Sequence, residues 1–349
     1  MIILAVWLTT SFTGEQSPQD VEAGSNPPIE IRLGYDEHGT SERSLPYALS
    51  ETKKVLPSMR RSETRRFVIL SDLSDEEVAA HGRLLERASH AVEGFRKRLG
   101  LEAEHQHLQE KMLAVAFSRR ADFLWFARRH DRLEASWMAG YFAPNPGRLV
   151  YFHARDIPSA RVAARELDLL ALDDRMITDA RESLETFIDQ STAAVVVHEA
   201  VHMILHERGI IPANSGIPLW LAEGVAASFE PIEPSRAFGP FQPVSGRTRA
   251  FREHLFKGTV PPLKVLVGSR ALPAGDNDEV RTFYDASASL CGWLAREEPE
   301  AFAELIRKAT RGQIGDKPES RIELFEELFG SVDAIEARWH ARERSRGGI

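Results

Sequence analysis

Two histidines and a glutamate lie within five residues of one another in an otherwise apolar stretch. They are His198, Glu199 and His202, inside a run over 193–205 whose other residues are all apolar. Because residues four apart share one face of an α-helix, His198 and His202 can offer imidazole nitrogens to one metal ion. Glu199, one position further round the helix, can reach a water molecule held there. The spacing therefore predicts a buried zinc site that activates water.

A third ligand is expected from a second apolar helix. The segment over 208–218 is rich in turn-forming residues, so we expect the first helix to end there and the chain to reverse. The next apolar stretch, 219–229, has Glu223 as its only charge. Antiparallel packing of the two helices would bring that carboxylate beside His198 and His202. The sequence thus predicts a metal site between two helices.

His206 is the alternative third ligand, because it continues the stripe that His198 and His202 begin. Eight residues of helix rise about 12 Å, whereas zinc–nitrogen bonds are about 2 Å long. One straight helix therefore cannot place all three histidines around one ion. We expect His206 to support a ligand or to pack in the core.

These residues resemble the zinc-binding motif of the gluzincin metallopeptidases. The chain has H-E-A-V-H at 198–202 and W-L-A-E-G at 220–224, with twenty residues between the second histidine and the glutamate. It is most similar to the uncharacterised bacterial peptidase-MA-like domains within that clan.

Two better-known branches match less well. The thermolysin branch carries Asn before its glutamate ligand and Asp four residues after it, where this chain has Ala222 and Ala227. The metzincins need glycine and histidine three and six residues beyond the second motif histidine, and Leu205 and Arg208 exclude that group. The resemblance is therefore to the gluzincin clan and not to thermolysin itself.

The resemblance implies roles for five residues. One Zn²⁺ ion would be held by His198, His202 and Glu223, with Glu199 as the general base in hydrolysis of a peptide or protein substrate. In the peptidase-MA-like domains a further helix follows the second metal helix and begins with a tyrosine. Tyr284 is therefore a candidate donor to the developing oxyanion, and a half-buried packing tyrosine is the alternative.

A small α/β layer is expected before the metal region. A strand over 67–70, a capping box at Ser74 and Glu77, a strand over 113–117 and a helix over 121–129 follow from local pattern. A hairpin is predicted from 138–142 and 148–152.

By resemblance, the strand over 148–152 could form the lip of a substrate cleft, and an ordinary inner strand pair is the alternative. His153 reads as a capping or surface histidine. Downstream of this hairpin the pattern is helical: 157–188, 263–266, 280–294, 301–310 and 322–339. In the first of these stretches Leu169 is expected to point inward.

The predicted fold class is α+β: a small mixed sheet with flanking helices, followed by a mainly helical zincin half. We divide the chain into a possible signal segment over 1–13, a linker or pro-segment over 14–63, and a metallopeptidase-like domain over 64–349. That domain has an α/β part over 64–156 and a helical part over 157–349. The Arg-rich end over 342–346 is predicted to be a solvated tail.

Composition limits the remaining classes. The net charge of −8 offers no basic face for nucleic acid. The apolar run over 1–12 is too short for a stable membrane span and resembles a secretory h-region, although no Lys or Arg precedes Arg32. We expect an extracytoplasmic protein. The single Cys291 rules out an intramolecular disulfide.

Three functions fit the motif. The first is a zinc peptidase, which needs all four of His198, Glu199, His202 and Glu223. The second is a zinc hydrolase of a non-peptide amide, because the metal chemistry is the same. The third is a binding protein with a retained structural zinc, in which His206 or Glu230 would close the site as a fourth ligand.

Overall fold

The computed structural model describes residues 2–4, 44–102, 111–133, 138–169, 174–212, 216–242, 245–273 and 277–346. Within this part of the chain the predicted α+β class is confirmed: one small mixed sheet is flanked by helices and followed by a mainly helical half.

Six strands form the sheet. They are β1 (Ile2–Leu4), β2 (Arg60–Glu63), β3 (Phe67–Ser71), β4 (Met112–Phe117), β5 (Gly140–Ala143) and β6 (Arg148–Phe152). Their order across the sheet is β1-β5-β6-β4-β3-β2. The central strands β3, β4 and β6 run parallel to one another, whereas β2, β5 and β1 are antiparallel to their neighbours. Every residue of β3 to β6 is buried, as expected for strands covered on both faces.

Twelve helices complete the described chain. They are α1 (Leu45–Val55), α2 (Asp75–Arg98), α3 (Arg120–His130), α4 (Pro158–Leu169), α5 (Asp174–Glu207), α6 (Leu219–Ala227), α7 (Gly246–Lys257), α8 (Leu263–Gly268), α9 (Asn277–Glu297), α10 (Pro299–Thr310), α11 (Pro318–Phe329) and α12 (Val332–Arg346). The predicted capping box starts α2: Ser74 accepts from the backbone of Glu77, and the Glu77 side chain accepts from the backbone of Ser74. His153 caps the short 3₁₀ turn over 154–156, as predicted.

The boundary between the predicted linker and the domain is wrong. Helix α1 and strand β2 both lie within 14–63, and Thr52 of α1 is fully buried. Its hydroxyl accepts a hydrogen bond at 3.0 Å from Arg148, which is itself buried on β6. Their polar sequences hid these elements, because α1 buries only Ala48 and Thr52 and none of the four residues of β2 is buried. Residues 14–43 of that segment, and residues 1 and 5–13 of the predicted signal segment, lie outside the described residues.

Three further expectations differ from the structure. The stretch over 157–188 belongs to two helices, since α4 ends at Leu169 and α5 starts at Asp174 and continues through the motif histidines. Leu169, predicted to point inward, is 85% exposed. The predicted solvated tail over 342–346 contains the fully buried Glu343, which pairs with Arg252 of α7 at 2.9 Å.

No helix among the described residues is both long enough and apolar enough to cross a bilayer.

Candidate metal centre

The candidate centre lies where α5 and α6 meet beneath strand β5. His198 and His202 project from the C-terminal half of α5, and Glu223 from the middle of α6. All three side chains are buried, with no more than 2% of any residue exposed. The helical periodicity that predicted the two histidines on one face therefore holds, and the second helix returns Glu223 to them as expected.

The three ligand atoms form a tight triangle. The Nε2 atoms of His198 and His202 are 2.9 Å apart, and Oε2 of Glu223 lies 3.3 Å from the first and 3.6 Å from the second. Zinc bonds of about 2 Å at tetrahedral angles would place any two ligand atoms about 3.3 Å apart. The three separations match this requirement. Two neutral imidazoles with both acceptor nitrogens this close would repel each other unless a proton or a cation lay between them.

Unpartnered carboxylates support the same assignment. Both carboxylate oxygens of Glu223 are buried and accept no hydrogen bond of normal geometry from the described residues. A buried carboxylate without donors is costly and needs an explanation such as a metal ion. Two imidazole nitrogens and one carboxylate oxygen are a common ligand set for catalytic zinc, which keeps further positions open. The residues present therefore fit one zinc ion.

Glu199 stands beside the ligands without belonging to their triangle. It is completely buried, and neither of its carboxylate oxygens has a hydrogen-bond partner of normal geometry among the described residues. Strand β5 packs directly on it: a Cβ atom added at Gly140 would lie 3.1 Å from Cγ of Glu199 and 2.7 Å from Cγ1 of Val195. Glycine at position 140 thus lets β5 approach α5 closely enough to bury the Glu199 side chain.

Glu230 is a further functional residue that the sequence placed wrongly. It was considered only as a fourth metal ligand, but it contacts the opposite side of the His198 ring: Oε1 lies 2.8 Å from Nδ1. Its other oxygen accepts from Arg247 of α7 at 2.8 Å. Arg247 also donates to Asp285 of α9 at 3.2 Å. Glu230 therefore lies outside the group of three candidate ligands and contacts one of them from the side away from the triangle.

Tyr284 and His206 occupy different surroundings. Tyr284 is 1% exposed, and its hydroxyl has no hydrogen-bond partner among the described residues. Burial, followed by the negative charges of Glu223 and Glu199, raises its pKa well above the usual value, so its hydroxyl stays protonated and able to donate. Its role at an oxyanion stays a prediction. The ring of His206 packs against Phe142 at 5.3 Å between centroids, outside the ligand group, as the rise per residue predicted.

The site carries strongly shifted pKa values. Burial raises the pKa of Glu199 to about 8. Burial is also the largest single influence on His198 and lowers its pKa, but the contacts with Glu223 and Glu230 outweigh it and raise the value to about 9. Burial lowers the pKa of His202. Burial alone would raise the carboxyl pKa values of Glu223 and Glu230, but contacts with His202 and His198 for the first, and with Arg247 and His198 for the second, outweigh burial and lower them.

These shifts predict how stability depends on pH once a chelator has stripped the protein of metal. The raised pKa of His198 stabilises the fold below about 6.5, and this contribution is lost as the pH rises towards 9. Glu199 keeps its proton in the folded state up to about pH 8, whereas in the unfolded chain it ionises near pH 4.5, so the fold loses stability as the pH rises from 4.5 to 8. Each group changes the unfolding free energy by up to about 1.4 kcal/mol per pH unit. The lowered pKa values of His202, Glu223 and Glu230 change the unfolding free energy only below pH 6.5.

We therefore expect the stripped protein to become less stable between pH 6.5 and 8. Urea unfolding at the two pH values measures this directly. With saturating zinc the trend should disappear or reverse, because metal binding requires His198 without its proton. A stripped protein that is equally stable or more stable at pH 8 would contradict the assigned shifts.

Residues 192–314 match the model of a family described as a protein of unknown function (DUF1570). No curated protein matches the chain. The matched stretch is about a third of the sequence and runs from the C-terminal half of α5 beyond the end of α10. It contains every side chain of the candidate centre: His198, Glu199, His202, Glu223, Glu230, Arg247, Tyr284 and Asp285. The family model therefore coincides with the part of the fold that builds the centre.

Proposed function

We propose that this chain is a zinc-dependent metallopeptidase, with His198, His202 and Glu223 as metal ligands and Glu199 as the general base. The observation that carries the proposal is the ligand triangle with separations of 2.9, 3.3 and 3.6 Å, adjoined by a buried carboxylate without a partner. When bound, zinc supplies Lewis acidity, which lowers the pKa of water and polarises a carbonyl group.

Two residues beside the ligands, Glu199 and Tyr284, have the remaining catalytic roles. No described side chain donates a hydrogen bond to the carboxylate of Glu199, and the backbone amide of Phe142 that faces it lowers its pKa only slightly, so Glu199 can take the proton of the attacking water and pass it to the leaving nitrogen. Its raised pKa suits a group that must both accept and return a proton near neutral pH. Tyr284 holds a protonated hydroxyl that can donate to the developing oxyanion.

Strand β5 supports an extended peptide as the substrate. The predicted lip strand, β6, is an interior strand between β4 and β5, so it cannot pair with a substrate. Along β5 the backbone groups point alternately towards β6 and away from it. The carbonyl groups of Ala139 and Ala143 accept from the β6 side of the hairpin, so the backbone groups of Phe142 point away from β6. Its backbone amide faces Glu199 and contributes a small lowering of that carboxyl pKa. A peptide added along β5 would therefore run past the general base.

Strand β1 holds this position in the structure, because Ile2 and Leu4 pair with Phe142 and Gly140. A substrate strand on β5 would have to displace it. We expect a chain lacking residues 2–12 to cleave an unstructured peptide severalfold faster than the full chain, with the same zinc content. Equal or slower cleavage by the shortened chain would contradict substrate pairing on β5.

The experiment that tests the proposal is elemental analysis of purified protein together with peptide cleavage. We expect about one zinc per chain in the wild type, and loss of that zinc in Glu223→Ala, because removing one of three protein ligands opens the site. Glu233→Ala, which removes a partly exposed carboxylate that pairs with Arg236 in the loop after α6, serves as the matched control and should keep both zinc and activity. Full zinc in Glu223→Ala would contradict the ligand assignment.

A second candidate function is a binding protein with a structural zinc. It is favoured by one observation: the ligands and Glu199 are no more than 2% exposed, as in structural zinc sites. Wild-type protein that holds zinc but cleaves neither peptides nor simple amides, with or without residues 2–12, would favour this second function.

A further inference from the structure

We propose that Arg247 is a positioning residue of the metal centre, acting through Glu230 on His198. This inference rests on the proposed metal site. It assigns a function to helix α7, which contributes no ligand, and to the buried chain of contacts Asp285–Arg247–Glu230–His198.

The contacts form one continuous path. Glu230 spans the gap between ring and guanidinium, with one oxygen 2.8 Å from Nδ1 of His198 and the other 2.8 Å from Nε of Arg247. Arg247 also donates from Nη2, at 3.3 Å, to Oε1 of Glu230, the oxygen that contacts His198. Its other end is fixed by Asp285 at 3.2 Å. All four side chains are buried, with His198 and Asp285 no more than 1% exposed.

The path determines which nitrogen of His198 faces the ligand triangle. A carboxylate can only accept, so contact with Glu230 places the ring proton on Nδ1. Nε2 is then left with its lone pair directed at His202 and Glu223, as a metal ligand requires. Without Glu230 the ring could turn or adopt the other tautomer. The distances from Nε2 of His198 to Nε2 of His202 (2.9 Å) and to Oε2 of Glu223 (3.3 Å) would then no longer be fixed.

Arg247 is what keeps Glu230 in place. Glu230 lies beyond the last residue of α6, so no helix fixes its side chain. The double contact with a guanidinium that is anchored at its far end leaves the carboxylate one position. The guanidinium also lies 5.7 Å from the centre of the Tyr284 ring, so the same residue helps to hold the candidate oxyanion donor.

The test compares two buried arginines of the same helix. Arg252 lies five residues after Arg247 on α7 and pairs with Glu343 at 2.9 Å, with no contact to Glu230. Arg247→Met and Arg252→Met each delete a buried ion pair from α7, but only the first interrupts the path to His198. Zinc affinity is measured by competition with a chromogenic chelator, and the ligand geometry by the visible spectrum of the Co²⁺-substituted protein.

We expect Arg247→Met and Glu230→Ala each to weaken zinc binding about 10- to 100-fold and to alter the Co²⁺ spectrum, whereas Arg252→Met changes neither. The double variant Arg247→Met/Glu230→Ala should lose no more affinity than Glu230→Ala alone, because both act through one contact. If Arg247→Met does not fold, Arg247→Lys replaces it: it retains the charge but not the double contact, and should weaken binding to a smaller extent.

Zinc affinity and a Co²⁺ spectrum in Arg247→Met that equal those of Arg252→Met would overturn the positioning role, as would full additivity in the double variant. A wild type that binds no zinc would instead overturn the proposed metal site itself. The two failures are therefore distinguishable in the same set of measurements.

Discussion

Glu199→Gln is expected to lose hydrolytic activity while retaining zinc. Glutamine has the shape of glutamate but cannot accept a proton from water, and general acid–base catalysis by a positioned side chain contributes about 10²- to 10⁴-fold. Because Glu199 lies outside the ligand triangle, we expect kcat to fall by that factor with the zinc content unchanged. Replacing a buried group whose pKa is about 8 should also stabilise the stripped protein at pH 8.

Glu185→Gln is the matched control, since it makes the same substitution on the same helix at an exposed position. Its kcat, zinc content and stability should equal those of the wild type. Peptide cleavage and elemental analysis on the same samples decide the result. Retention of activity within about tenfold in Glu199→Gln would rule out the role of general base, and loss of zinc would place Glu199 among the ligands.

The three candidate ligands could be predicted from local sequence, because the spacing of residues along a helix determines which side chains lie on the same face. His198 and His202 are one helical turn apart, and Glu223 is the only charge in an apolar helix that follows a short reversal. A lone carboxylate in such a helix needs a partner, and the two histidines are the nearest candidates. These three positions required no knowledge of the rest of the fold.

The residues that orient the ligands could not be found in the same way. Glu230 follows the end of α6, and Arg247 is separated from it by a loop rich in proline and glycine. No periodic pattern relates either residue to His198, because loop geometry fixes their separation. The sequence offered no signal for Arg247, because its burial is visible only in the structure and the sequence pattern did not predict helix α7.

The strands of the sheet also divide into those that local sequence predicted and one that it did not. Strands β3 and β4 were predicted from short runs of apolar residues, since parallel central strands bury both faces. Strand β2 was missed because its sequence, Arg-Arg-Ser-Glu, contains no apolar residue and lies at the edge of the sheet. Its pairing with β3 is a tertiary interaction that local propensity does not contain.

Gly224→Ala is expected to reduce both stability and zinc affinity, because this glycine is where α6 and α9 touch. A Cβ atom at position 224 would lie 2.5 Å from the carbonyl oxygen of Ser287 and 2.7 Å from Sγ of Cys291. The first contact is with backbone, so the helices must move apart. Overpacking of this kind costs about 1–3 kcal/mol, partly offset by about 1 kcal/mol from the better helix propensity of alanine.

The movement would also reach the metal centre, since Glu223 precedes this glycine on α6 and Tyr284 lies on α9. Gly94→Ala is the matched control: Gly94 lies in α2, and nothing would lie within 4 Å of its added Cβ. That variant should gain up to about 1 kcal/mol of stability and keep its zinc affinity. Urea unfolding and chelator competition measure both effects, and a Gly224→Ala protein that behaves like Gly94→Ala would show that the contact between α6 and α9 does not hold Glu223 in place.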